Sequence, residues 1–273
     1  MFFYVPVYNE QETIGVFLYR LSQVMKKLRL EYEIFLTLDG CEDDSAEVVA
    51  PYLRLLPVRV VHNEQRNGYG KCLFQAVKQV VGASDNPKRD FFLILDADFS
   101  CDPNFLLDMS SLIERNADLC SVDRLSRRNS NIPFFERILQ LFCWLVLRFR
   151  GIDLSRNLDL LTTFRGCRVQ LARLNLKRLE VLAQLGPKVP PAACGLTFVY
   201  ALLGRARNFR QIQVSCRKPR RRRKQSALLA LVKFLLLDKT LSEIKSRKEK
   251  SPPGPKRPRK RYSNKTLHDS SKV

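Results

Sequence analysis

Residues 91–103 of this 273-residue chain are FFLILDADFSCDP. Five consecutive apolar residues are typical of a strand that is buried on both faces of a parallel sheet. Asp96 and Asp98 alternate where this strand ends, so both carboxylates can turn toward one hard cation that in turn holds a diphosphate. The competing interpretation is a pair of solvated acids at a strand end. Pro103 then suits the first turn of a helix.

The same alternation of short apolar runs with helical patterns fills the first 122 residues. Asn9 and Glu12 form a capping box that predicts the start of the first helix. A second helix is predicted over Ser45–Leu56, with a bend or break at Pro51. Further helices are predicted over Cys72–Val81 and Asn104–Arg115. The predicted strands are Phe2–Val7, Glu33–Leu38, Val58–His62, Phe91–Leu95 and Asp118–Val122. This order predicts an α/β fold with a doubly wound, mostly parallel sheet.

Polar residues follow four of the predicted strands at the point where each strand ends. They are Tyr8, Asn9 and Glu10, then Asp39 and Gly40, then His62 and Asn63, then Asp96 and Asp98. Ligands of doubly wound sheets bind at the carboxyl ends of the strands. Buried strands need only apolar residues, so this convergence predicts a binding site.

Two loops near these strand ends have a structural and a functional interpretation. Residues 39–45 (DGCEDDS) form either an acid-rich turn with a helix cap from Asp44 or Ser45, or a loop in which Asp39 accepts hydrogen bonds from a nucleobase or ribose. Residues 67–71 (NGYGK) open the next helix, and their glycines would let the backbone approach a bound anion.

The net charge of +21 is concentrated in two segments. Residues 217–224 (RKPRRRRK) carry +7 and residues 245–273 carry +9, which leaves about +5 for the rest of the chain. A hydrophobic content of 45% excludes a fully disordered protein. Basic runs without interleaved aromatic residues do not match a known nucleic-acid module, so these runs do not favour nucleic acid as a partner.

Eight scattered cysteines and two histidines offer neither a zinc site nor a disulfide framework, which favours free thiols in a reducing compartment. The N-terminus shows no signal-peptide pattern. The longest uncharged apolar run, Leu141–Leu147, falls far short of the roughly 20 residues that span a bilayer. These features predict a cytoplasmic protein without a transmembrane helix.

Two strongly apolar segments mark the second half of the chain, Ile132–Phe149 and Ala227–Leu237. The first is either a core helix or a helix in a membrane interface, with Trp144 and the phenylalanines at the acyl boundary. The second directly follows the arginine run, a composition that favours contact with an anionic membrane.

The chain divides into three predicted ranges. Residues 1–125 contain the predicted binding site, residues 126–244 contain the apolar, amphipathic helices, and residues 245–273 form a disordered basic tail.

Four motifs stand in order along the first part of the chain: VPVYNEQETI (Val5–Ile14), YEIFLTLDGCEDDS (Tyr32–Ser45), NGYGKCLFQAV (Asn67–Val77) and LILDADFSCDP (Leu93–Pro103). As a set they resemble the family 2 glycosyltransferases of the GT-A fold, and among them most closely the polyprenyl-phosphate sugar transferases such as dolichol-phosphate mannose synthase. A fifth stretch, Asp159–Arg168, resembles the D-L-T-G-S-F-R-x-x-R segment of these enzymes. The resemblance implies that residues 1–125 are the nucleotide-sugar-binding half and residues 126–244 the acceptor half.

The resemblance implies roles for individual residues. The nucleotide of a GDP- or UDP-sugar would be held by Pro6, Tyr8, Glu10 and Asp39. Mg²⁺ or Mn²⁺ on the diphosphate would be held by Asp96 and Asp98, and Arg124 would face the phosphates.

The implied activity is metal-dependent, inverting transfer of a sugar, mannose or glucose, to a polyprenyl or dolichyl phosphate at the cytoplasmic face of a membrane. The expected location is peripheral, on an anionic membrane surface, with a small membrane-protein subunit as a plausible partner. Two alternatives remain open at this point: the same donor with a glycan, protein or soluble acceptor, and a degenerate transferase that binds nucleic acid through its basic segments.

Overall fold

The computed structural model describes residues 1–99, 102–124, 134–152, 154, 158–214, 225–237, 239–241 and 243–244. The arginine run at 217–224 and the predicted disordered tail at 245–273 lie outside the described residues.

Seven strands and the helices between them alternate along the described chain. The strands are β1 (Phe2–Val7), β2 (Glu33–Asp39), β3 (Val58–Asn63), β4 (Phe91–Ile94), β5 (Leu119–Asp123), β6 (Arg165–Arg168) and β7 (Phe209–Gln213). The α-helices are α1 (Ile14–Leu28), α2 (Ser45–Val49), α3 (Tyr52–Leu55), α4 (Tyr69–Ala83), α5 (Phe105–Glu114), α6 (Phe134–Phe149), α7 (Val169–Leu174), α8 (Leu176–Leu179), α9 (Pro191–Leu203) and α10 (Gln225–Leu237). A 3₁₀ helix covers Glu180–Gln184.

All seven strands form one sheet in the order β3-β2-β1-β4-β6-β5-β7. The pairs β1–β2, β2–β3, β1–β4 and β5–β7 are parallel, whereas β6 runs antiparallel to both β4 and β5. The predicted α/β fold with a mostly parallel sheet is confirmed. The sequence did not predict β6 or β7, so it also missed that β4 and β5 are separated.

Insertion of β6 requires a residue without a side chain at its centre. A Cβ atom on Gly166 would lie 2.4 Å from a methyl carbon of Leu93 and 2.9 Å from the sulfur of Cys120. Real Cβ atoms do not approach that closely, because protein interiors are close-packed. Glycine at this position therefore lets β6 enter between its two neighbours.

The core lies on both faces of the sheet, as expected for continuous apolar strands. In β1, Phe3 and Val5 pack into the cluster that contains the buried face of α1, whereas Tyr4 packs into the cluster that contains α4 and α9. Phe3, Tyr4 and Val5 are all fully buried. Successive side chains point to opposite faces, so both faces of β1 are covered by helices.

The structure corrects two local predictions at helix starts, one in full and one in part. The helix α1 begins at Ile14, and Asn9 adopts a left-handed conformation with φ 54° in which its Oδ1 accepts a hydrogen bond from the Glu42 amide at 2.9 Å. The Asn9 and Glu12 capping box therefore does not form. At α2, Asp44 occupies the N-cap position as one interpretation of this loop predicts, but its side chain makes no cap hydrogen bond; the Ser45 amide donates to Oδ1 of Asp43 at 3.1 Å instead. The predicted break at Pro51 is confirmed, since it separates α2 from α3.

The helix α6 combines a buried side with an exposed apolar side. Leu139, Cys143 and Leu147 are buried in the core, whereas Phe134 and Phe149 are 77% and 89% exposed. Trp144 packs against the core, and its Nε1 donates to the Leu154 carbonyl at 3.1 Å, so it does not take the outer position that the membrane-interface alternative assigned to it. In the described part of the chain, no helix is both long and apolar enough to span a bilayer.

Candidate functional site

A cavity of about 240 Å³ opens at the carboxyl ends of β1, β2 and β4. The strand order reverses between β1 and β4, and such a switch point is where ligands of doubly wound sheets bind. The structure brings together six of the seven residues predicted for the site, and these line the cavity: Pro6, Tyr8, Glu10, Asp39, Asp96 and Asp98. The other lining residues include Tyr4, Arg66, Tyr69, Cys72, Pro187, Val189 and Pro191.

Asp96 and Asp98 follow β4 and form the acidic part of the cavity. The Thr163 hydroxyl donates to Oδ2 of Asp96, and the Tyr69 hydroxyl lies 3.4 Å from Oδ1. Burial and the Asp96 charge raise the pKa of Tyr69 well above its ordinary value, so this hydroxyl keeps its proton and acts as a donor. Two chain segments far apart in sequence thus orient one carboxylate.

Within the described residues no group of three or more His, Cys, Asp or Glu side chains could hold a metal ion. Mg²⁺ is commonly held by one or two carboxylates together with substrate phosphates and water. Asp96 and Asp98 fit that mode of binding, in which the ligand supplies part of the coordination.

Asp39 at the end of β2 fastens a neighbouring loop. Its Oδ1 accepts from Asn63 Nδ2 at 3.0 Å and from the Asn67 amide at 2.8 Å, and its Oδ2 accepts from the Gly68 amide at 2.8 Å. Burial by itself would raise the pKa of the Asp39 carboxyl, but these hydrogen bonds hold it below its ordinary value. Asp39 is therefore a carboxylate that shapes the cavity wall.

The second half of the chain closes the cavity at Gly68. This residue has φ +95°, and a Cβ atom on it would lie 2.6 Å from the Cα of Pro187. Only glycine combines this backbone conformation with such a close approach. The contact brings Pro187, Val189 and Pro191 to the wall of the cavity.

An aromatic ring and a guanidinium stack at the cavity. The Arg66 guanidinium lies 3.9 Å from the centre of the Tyr8 ring, and Tyr8 is 36% exposed. Nearby, the Cys72 thiol is not a nucleophile at neutral pH, because burial and the Asp39 charge raise its pKa to about 12.

Hydrogen bonds between the loops after β1 and β2 hold Glu10 in place. The Glu10 amide donates to Ser45 Oγ at 2.9 Å, and its Oε2 accepts from the Thr13 hydroxyl at 2.8 Å. The Gln11 amide donates to Oδ2 of Asp43 at 3.1 Å. Both loops thus enter the cavity as one unit.

Arg124 is the predicted site residue that does not line the cavity. It is 5% exposed, and its Nε lies 3.0 Å from Oδ2 of Asp159, which is fully buried. Arg165 lies beside this pair and donates to the Asp159 backbone carbonyl and to the Ser121 hydroxyl. Burial lowers the pKa of Arg165 to about 10, with the Arg124 charge acting in the same direction and the Asp159 charge against it.

The family model for glycosyl transferase family 2 matches residues 3–177, a range that contains every residue of the predicted site. The chain belongs to this family.

Within family 2, sequence similarity is found to transferases that act on a lipid phosphate. Undecaprenyl-phosphate 4-deoxy-4-formamido-L-arabinose transferase from Yersinia enterocolitica is 30% identical over 128 residues, which are 46% of this chain and 37% of that protein. The protein of the same name from Pseudomonas fluorescens is 30% identical over 169 residues, or 62% of this chain and 45% of that protein. The matched part is less than half the length of these curated relatives.

Solved structures of glycosyltransferases share the fold of this family 2 chain. One is glucosyl-3-phosphoglycerate synthase from Mycobacterium tuberculosis in complex with Mn²⁺, UDP and glucosyl-3-phosphoglycerate, with a TM-score of 0.61 at 17% identity. The superposition covers 89% of this chain and 78% of the synthase chain. Mannosyl-3-phosphoglycerate synthase from Rubrobacter xylanophilus has a TM-score of 0.58 at 14% identity, covering 94% of this chain and 78% of its own. The GT-A fold is confirmed.

Some residues at or beside the cavity have no signal in the sequence. Thr163 lies in the stretch that resembles the family motif, yet nothing in its spacing indicates a contact with Asp96. Arg66 precedes the Asn67–Lys71 loop and had no pattern of its own. Pro187 and Val189 flank Lys188 in a short proline-rich segment without periodicity, and only their position over Gly68 places them at the cavity.

Proposed function

We propose that this protein is a metal-dependent, inverting glycosyltransferase that moves a sugar, mannose or glucose, from a GDP- or UDP-sugar to a polyprenyl phosphate at the cytoplasmic face of a membrane. The observation that carries the proposal is the convergence of two strand-end acids with Tyr8, Glu10 and Asp39 in one cavity at the switch point of the sheet.

The nucleoside end of the donor is assigned to the side of the cavity that contains Tyr8, Arg66 and Asp39. The Tyr8 ring and the Arg66 guanidinium offer flat surfaces on which a base can stack. Asp39 fixes the backbone of Asn67 and Gly68 and thereby the width of this end.

The diphosphate end is assigned to Asp96 and Asp98, which would hold Mg²⁺ or Mn²⁺ together with the phosphate oxygens. The metal, when bound, supplies positive charge that stabilises the departing nucleoside diphosphate. Thr163 and Tyr69 fix the orientation of Asp96, so the carboxylate is already in place before the ligand arrives. The Mn²⁺ and UDP in the structurally similar synthase support this assignment.

The acceptor is assigned from the relatives that are named as undecaprenyl-phosphate transferases. A lipid phosphate is anionic at neutral pH, so its oxygen can attack the sugar carbon without a strong protein base. This agrees with a cavity whose lining, among the described residues, contains no histidine and whose Cys72 keeps its proton.

The test is release of nucleoside diphosphate from a panel of GDP- and UDP-sugars with Mg²⁺ or Mn²⁺, with and without a short polyprenyl phosphate. One donor should turn over, faster with the lipid, and Asp98→Ala should abolish turnover. Asp108→Ala, which removes an exposed acid on α5, is the matched control and should keep it.

Absence of donor binding and turnover under every condition would overturn the proposal. Turnover that responds to a water-soluble acceptor and not to the lipid would overturn the acceptor assignment alone.

A further inference from the structure

The outer side of α6 carries a continuous stripe of large apolar side chains. At 3.6 residues per turn its members fall within about 100° of the helix circumference, along about 24 Å of helix. We call this surface the α6 stripe; it consists of Phe134, Ile138, Leu141, Phe142, Leu145 and Phe149, each at least 40% exposed.

The stripe is not the side of α6 that the fold uses for packing. Leu139, Cys143 and Leu147 lie on the opposite side and are buried in the core. A surface helix of a water-soluble protein places polar residues on its outer side, and a contiguous exposed apolar patch marks a contact with a partner or a membrane. The α6 stripe therefore needs an apolar neighbour.

One edge of the stripe is positively charged. Arg137 and Arg148 are eleven positions apart, about three helical turns, so they line the same edge. Glu136, the acid of this helix, shares the side of Cys143 and Leu147 instead. An apolar stripe with an arginine edge matches the boundary between acyl chains and anionic headgroups.

The helix is also tied to the segment that reaches the acidic part of the cavity. Gln140 donates through Nε2 to the Leu158 carbonyl at 2.5 Å and accepts from the Leu160 amide at 2.9 Å. Three residues further on, the Thr163 hydroxyl donates to Asp96. The stripe and the acidic end of the cavity thus belong to one connected part of the fold.

We propose that the α6 stripe lies in the surface of an anionic lipid membrane, with the apolar side chains at the acyl boundary and Arg137 and Arg148 at the headgroups. This inference rests on the proposed function, because a lipid acceptor makes a bilayer the fitting occupant. A second copy of the chain or a protein partner on the stripe is an outcome of the test below.

The experiment is cosedimentation of the full chain with vesicles of phosphatidylcholine, with and without phosphatidylglycerol. Binding is measured at physiological salt and at about 1 M salt, where the Debye length of about 3 Å suppresses the contribution of the basic segments. The triple variant F134S/I138S/L145S should lower the partition coefficient about tenfold or more at high salt, because binding scales with the apolar area inserted. The matched control L53S/L55S/L174S removes three exposed leucines elsewhere and should bind like the wild type.

The inference would be overturned if, at high salt, the stripe variant bound the vesicles as strongly as the wild type does. So would a lipid-free wild-type dimer that the stripe variant converts to a monomer, because a second copy would then cover the stripe.

Binding of a nucleoside diphosphate with Mn²⁺ in lipid-free solution separates this inference from the proposed function. The stripe variant should retain that binding, which also shows that it is folded. If the wild type binds the nucleoside diphosphate but not the vesicles, the membrane inference alone is overturned. If it binds the vesicles but no donor, the transferase assignment is overturned.

Discussion

The Thr163 hydroxyl donates a hydrogen bond to Oδ2 of Asp96, although 67 positions separate the two residues in the chain. The Tyr69 hydroxyl faces the other oxygen of the same carboxylate at 3.4 Å. Thr163 lies just before β6, so the strand that enters the sheet between β4 and β5 also delivers this hydroxyl to the site. The orientation of Asp96 thus depends on a part of the chain far from the acidic motif.

Replacing Thr163 by valine should weaken metal binding. Partners that orient a metal ligand typically contribute 10–100-fold to affinity, so we expect a loss of about that size for Mn²⁺ in the presence of a nucleoside diphosphate. Thr163→Ser keeps the hydroxyl and should stay near the wild type. Electron paramagnetic resonance of free Mn²⁺ measures both, and equal affinities for the valine and serine variants would contradict the role of the hydroxyl.

Asp39→Asn should destabilise the protein at neutral pH and have little effect in acid. The folded pKa of Asp39 is depressed, so its contribution is present above the unfolded pKa of about 3.9 and is lost as pH falls through the lower folded value. Because the hydrogen bonds to a charged acceptor are weakened, we expect the free energy of unfolding to fall by about 1–3 kcal/mol at neutral pH. Urea unfolding as a function of pH measures the difference, with Asp108→Asn as an exposed control on α5. A difference that persists unchanged well below pH 3 would contradict this origin.

Gly68→Ala and Gly82→Ala should have opposite effects on the free energy of unfolding. A methyl group at Gly68 meets the Pro187 backbone and a φ of +95°, so we expect a loss of about 1–3 kcal/mol and weaker nucleotide binding. A methyl group at Gly82, in the last turn of α4, meets nothing within 4 Å. There the better helix propensity of alanine should stabilise the protein by up to about 1 kcal/mol. Thermal unfolding and isothermal titration measure both effects, and a stable Gly68→Ala protein would show that the 187–191 segment can move away.

Asp159→Asn should destabilise the protein more than Arg124→Met does. The asparagine leaves two buried guanidinium groups, Arg124 and Arg165, without this carboxylate, which should cost about 3–5 kcal/mol. After Arg124→Met, Asp159 still has the positive charge of Arg165 beside it. Urea unfolding measures the order of the two losses.

The same Arg124→Met variant tests the predicted contact of Arg124 with the phosphates. If that contact exists, affinity for a nucleoside diphosphate falls even where the variant is fully folded. Unchanged affinity together with lower stability would leave Arg124 with its buried ion pair alone.

The sequence predicts the parallel strands β1 to β4 and the acids that follow them. The strand in residues 91–95 is a continuous apolar run that ends directly in Asp96, and both features are local, so they can be read without knowing what lies alongside. The order of strands and helices then brought Tyr8, Asp39 and Asp98 to one edge, because the carboxyl ends of parallel strands meet there.

The tertiary structure alone decided which other residues complete the site and which side of α6 is buried. The strand β6 is four residues long and contains two arginines, so it has no apolar signal, and its place depends on the space left by Gly166 between two other strands. The apolar residues of α6 cover more than half of the helix circumference, so the sequence pattern does not select which of them pack inside, and it left core and membrane interface open for α6. Packing selected the inner side, since contacts between distant segments buried Leu147, placed Trp144 against the core and left Phe134 and Phe149 exposed.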